Sequence, residues 1–291
     1  MFLPNPAQPI RNKMKKEIEF PDCWEELTTS EWVYLLRLRH KLEERKGFTL
    51  MDVKREWCRF VLHGRGCRPK IKEDYYLLIN KLATSLDWIW VESEDGKQVA
   101  IDFNSTQNLL PVFMDLRGPL SHGADLTFCE FRVAVSLMNE YNQTRKPEIL
   151  QMLCGVLYRK PGATLNKKNF NGIYREEFNP ARMGLYADRI RIMPEHIRWG
   201  VYAWFAYFCE YLLTGTFIIE GTEVCFAPIF ARSGSDGGTS EQNLGLHAIG
   251  LSVAESGVFG NAEQTDRTLL LKIMLKLLND HQRAQALQKR N

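Results

Sequence analysis

The chain has 291 residues, of which 45% are hydrophobic, 11% aromatic and 25% charged; this excludes a disordered or collagen-like polymer and suits one large or two modest folded units. The net charge is only +3, so charge alone does not mark a nucleic-acid binder. The seven cysteines follow no CxxC spacing and read as reduced, buried thiols of a cytoplasmic protein.

Residues 1–20 read as an extended arm. Pro4, Pro6 and Pro9 interrupt the apolar stretch that a secretory signal would need, and Lys13, Lys15 and Lys16 favour solvent. Such an arm is either simply solvated or a strap that orders on a partner.

Thr28 and Glu31 then have the spacing of a capping box, in which hydroxyl and carboxylate satisfy free amides at a helix start. Trp32, Leu35, Leu36 and Leu42 follow on one side of a helix ending near Gly47. Further helices are predicted over 50–62, with Val53, Trp57, Phe60 and Val61 as the apolar face, and over 74–85. The period then changes. Trp88–Val91 and Val99–Phe103 flank Asp95-Gly96, a pair that readily supplies the positive φ angles of a hairpin turn. Residues 104–125, with Pro111, Gly118, Pro119 and Gly123, read as a linker.

A second capping-box spacing, Thr127 to Glu130, opens a helix to about Tyr141, and Pro147 opens another that ends near Arg159. Residues 160–179 are polar and read as a loop; helices follow over 180–191 and 195–213. The stretch Trp199–Ile219 approaches membrane-spanning length, but Glu210 and Gly215 interrupt it, so a core helix running into a strand is expected and no membrane partner. A short hairpin is predicted around Glu220-Gly221, a flexible loop over 232–243, a helix over 244–256 and one long terminal helix capped by Asn261 and Gln264. The expected fold class is mainly α with two small β-hairpins, α+β being the alternative. Its many helices form two lobes, 21–115 and 120–291, behind the arm.

Few residues form a chemical signature. Gly234-Ser235-Asp236-Gly237-Gly238 lacks the lysine of a phosphate-binding loop and carries an acid where the phosphate would sit. Cys58, His63 and Cys67 are the nearest approach to a zinc site, yet no fourth ligand is close. Neither a nucleophile elbow nor a zinc-protease motif occurs, so no catalytic residue, metal or cofactor is singled out and a non-enzymatic role is expected. The segment from His63 to Lys72 concentrates Arg65, Arg68, Lys70 and Lys72 without an acid, and its glycines would let backbone approach phosphates. It is either a solvated loop or the contact surface of a nucleic-acid-binding protein.

The segment Phe20-Pro21-Asp22-Cys23-Trp24-Glu25-Glu26-Leu27-Thr28 to Trp32 resembles the opening of phage and prophage proteins of Bacteroides-type bacteria. The end, with Asn243-Leu244-Gly245-Leu246-His247, then Ser252 to Gly260 and a terminal amphipathic helix, is similar to the same proteins. The resemblance covers about forty residues at the two ends and brings no catalytic residues. It implies a small virion or tail-assembly-chaperone-like protein of the host cytoplasm, at times virion-associated, whose partner is another protein such as a tail or virion component. On that reading Leu270, Met274 and Leu277 of the terminal helix are candidate partner contacts, because an amphipathic helix can place such side chains in a groove. The alternative is that this helix packs on its own core.

Overall fold

Helices begin where polar side chains can satisfy the first free amides. In α1 (Thr29–Glu44), Glu31 N–H donates to Thr28 Oγ1 at 3.3 Å while Thr28 N–H donates back to Glu31 Oε2 at 2.9 Å. Thr49 and Asp52 repeat the device for α2 (Leu50–Gly64), Thr127 and Glu130 for α4 (Phe128–Thr144), and Asn261 and Gln264 for α9 (Ala262–Arg267). A computed structural model describes residues 18–67, 71–92, 99–162, 172–230 and 253–288. The predicted 232–243 loop, the Asp95-Gly96 turn, most of the arm and most of the 244–256 helix lie outside these residues.

The fold is mainly helical, with short two-stranded antiparallel hairpins. The remaining helices are α3 (Lys72–Thr84), α5 (Pro147–Leu157), α6 (Met183–Ile190), α7 (Glu195–Thr214), α8 (Ala227–Phe230) and α10 (Leu270–Gln288). β1 (Trp90–Glu92) pairs with β2 (Val99–Ile101), Trp90 facing Ile101. β5 (Thr216–Ile219) pairs with β6 (Thr222–Cys225) across Glu220 and Gly221, whose φ angles of 50° and 78° supply the twist a tight hairpin requires.

The N-terminal helices close over an aromatic cluster. The Trp24 ring lies 5.3 Å from Trp32, 5.0 Å from Trp88 and 5.0 Å from Phe103, and its indole N–H donates to Asp102 O. Buried apolar residues from Trp24 to Met274 form one continuous cluster. α1 crosses α7 at Gly200, where an added Cβ would stand 2.4 Å from Leu36 Cδ1. A glycine there admits the Leu36 methyl without either side chain having to shift.

Two expectations are corrected. Residues 104–125 are not a linker: Ser105, Asn108, Leu109, Leu110, Leu116 and Asp125 are buried, and 112–117 add a third hairpin, β3 (Val112–Phe113) with β4 (Leu116–Arg117). The prolines and glycines there permit close packing; Gly118 accepts the Tyr158 ring where a Cβ would stand 2.6 Å away. The described ends of 160–179 are irregular, as the loop expectation has it, and an isolated bridge joins Pro161 to Arg175. The terminal helix is two helices. Phe128 N–H donates to Thr268 O and Leu270 N–H to Leu126 O, so the backbone extends for one bridge between α9 and α10.

Candidate protein-interaction surface

Arg65, the first cation of the predicted basic loop, is turned inward. Its guanidinium donates to Glu31 Oε1 at 2.8 Å, Glu31 Oε2 at 3.1 Å, Glu19 O at 2.8 Å and Glu26 O at 2.9 Å. Burial raises the Glu31 carboxyl, but hydrogen bonds from Arg65 and Thr28 outweigh it and hold the group below the usual carboxylate range. The same pairing pushes Arg65 upward. Arg65 therefore ties the α2 C-terminus to the α1 cap and is not free to meet a phosphate. Lys72 is exposed at the start of α3, next to Glu73 and Asp74, while Arg68 and Lys70 lie outside the described residues.

The candidate contacts on the terminal helix are placed as plainly. Leu270 and Met274 are buried, and Leu277 is half-buried against the core. α10 packs on α4 and α8, so its apolar face is occupied within the protein. The solvent-facing part is its polar C-terminal end, with residues 282–288 exposed.

The exposed apolar surface lies elsewhere. α3 packs chiefly on α2 through its buried Ile79 and Ala83. Around it Leu77 is 69% exposed, Tyr76 56%, Ile71 55% and Leu78 38%, more large apolar side chains than any other described element exposes. Ile71 is the extended N-cap of α3, and Tyr76, Leu77 and Leu78 follow in the helix on the sides not occupied by the buried Ile79 and Ala83. Scattered single hydrophobes are ordinary; a group exposed together on one described helix is a candidate contact surface. Sequence periodicity missed it because Leu77 and Leu78 are indistinguishable there from core leucines.

A second feature, unseen in the sequence, is a buried charge cluster. Arg175 donates to Asp125 Oδ2 at 3.3 Å and Glu130 Oε2 at 3.1 Å, and Arg159 donates to Glu130 Oε1. Main-chain oxygens of Asp125, Val156, Leu157 and Glu176 take further guanidinium protons. All four side chains are buried, and the two acids balance the two bases. Burial pulls both arginines down, Arg159 further because Arg175 is near, and Asp125 offsets this at Arg175. Saturated by internal partners, the cluster offers nothing to a substrate; it joins 116–130 to 156–176.

The remaining sites are chemically quiet. Cys58 is buried with its thiol pushed up to about 12, and among the described residues its ligand atom does not gather with those of His63 and Cys67. Asp22, Cys23 and Glu26 bring ligand atoms together at the surface, but Asp22 N–H donates to Glu26 Oε2, and burial together with the Glu26 and Glu25 charges raises the Cys23 thiol. Among the described residues, no helix is long and apolar enough to cross a membrane. No family model, curated protein or solved structure matches the chain.

Proposed function

We propose that this protein is a non-enzymatic assembly factor that binds another protein through the outer face of α3. The observation that carries the reading is the exposed group Tyr76, Leu77 and Leu78 of α3, with Ile71 at its N-cap, on a helix that packs chiefly on α2 among the described residues. Helical faces of this kind are read by partners through anchors spaced along one side. The terminal resemblance supplies the partner class, a tail or other virion component of a phage or prophage, met in the host cytoplasm. The partner contacts thus move from Leu270, Met274 and Leu277 to α3.

Photo-crosslinking in the full chain tests this. With p-benzoylphenylalanine in place of Leu77, expression during phage or prophage induction should trap a virion or tail protein, whereas the same residue in place of Glu220 should not. Equal trapping at both positions, or none at position 77, contradicts the proposal. Trapping of nucleic acid instead would favour the basic-loop reading, which Arg65 no longer serves.

A further inference from the structure

We infer that the groove between α7 and the β1–β2 hairpin receives a Lys- or Arg-bearing segment of a protein partner. Phe103, Trp199, Tyr202 and Tyr207 line it with aromatic surface, and Asp102 and Glu210 add two exposed carboxylates. Its volume of about 230 Å³ lies below the ~300–1,000 Å³ of small-molecule pockets, which suits one long side chain better than a whole ligand.

Charge selects the occupant. None of the ion pairs among the described residues uses Asp102 or Glu210. The Tyr207 hydroxyl is raised by burial and then by Tyr211, Glu210, Glu25 and Asp102. The groove therefore combines two carboxylates outside those ion pairs with π faces that attract cations. Trp199 already takes one guanidinium, Arg39, at 3.7 Å from its ring centroid. An alkyl stem would lie along Phe103 and Tyr207 while its charged head meets the carboxylates.

The inference rests on the protein-binding reading but concerns a separate surface. The test is fluorescence anisotropy of labelled octa-arginine added to the full chain, with octa-glutamate as control. Wild type should bind octa-arginine only. Asp102→Asn with Glu210→Gln should weaken binding at least about fivefold, as should Tyr207→Leu, which removes the π face without changing charge. Glu73→Gln should change nothing, and Leu77→Glu should leave peptide binding intact, so failure here is distinct from failure of the α3 contact. Circular dichroism confirms that each variant is folded. No binding by wild type, an equal loss in Glu73→Gln, or no loss in Tyr207→Leu would overturn the inference. Binding that emerges only after Arg11, Lys13, Lys15 and Lys16 are changed to Gln would assign the groove to the chain's own basic segment instead.

Discussion

The Arg65 guanidinium holds Glu31 by two hydrogen bonds, at 2.8 and 3.1 Å, while Glu31 completes the capping box of α1. Glu31 thus serves three groups: the Thr28 amide, Arg65, and through its main-chain oxygen the Trp57 indole at 3.1 Å. Helix start, inter-helix tie and aromatic core meet at one residue.

Removing Arg65 should consequently cost stability. Arg65→Ala leaves a nearly buried carboxylate without its counter-ion, and a loss of about 1–3 kcal/mol is expected in urea unfolding, less than for a fully enclosed pair because Arg65 keeps some solvent. A change within about 0.5 kcal/mol would show that the tie is surface decoration.

The pH dependence follows from the direction of the Glu31 shift. Its folded carboxyl is held below its unfolded value, so the unfolded state binds the proton first as pH falls. The stabilisation is full above the unfolded value of about 4.3 and is lost as pH drops through the folded one. Wild type should lose stability more steeply than Glu31→Gln between about pH 5 and pH 3; parallel curves would contradict the assignment.

Arg175 makes the sharper prediction. Arg175→Met leaves Asp125 buried and unpaired, and a cost of about 3–5 kcal/mol is expected. Adding Asp125→Asn keeps the acceptor for Leu120 N–H while removing the charge, and should recover at least about 1 kcal/mol. No recovery would mean that packing rather than charge balance dominates the site.

How far the sequence carried is visible residue by residue. The boxes Thr28–Glu31, Thr127–Glu130 and Asn261–Gln264 were legible because a cap is local chemistry at fixed spacing. So were Pro147 at a helix start and the Glu220-Gly221 turn. The charge cluster was not, because residues 125, 130, 159 and 175 come together only after α4 and α5 pack. Prolines and glycines in 104–125 resembled a linker for a related reason: tight packing and chain flexibility draw on the same residues. The break at Thr268–Leu269 depends on a distant partner strand that periodicity cannot see.

The terminal helix supplies a stability test. Leu270→Ala and Met274→Ala should each cost about 2–5 kcal/mol, because both side chains are buried against the core. Deleting 262–291 should unfold neighbouring structure, since α9 and α10 cover α4 and α8 and their junction pairs with residues 126–128. A truncated chain that stays fully folded and loses only partner binding would restore Leu270, Met274 and Leu277 as contacts.

Binding of a partner through α3 is tested most directly by nuclease-treated affinity purification from the native host during induction, comparing wild type with Leu77→Glu. Leu77 is exposed, so the variant should match wild-type unfolding within about 0.5 kcal/mol. Wild type should retain a virion or tail protein after nuclease, and Leu77→Glu should lose it. Equal retention by both chains, or a partner released by nuclease alone, would contradict binding through α3.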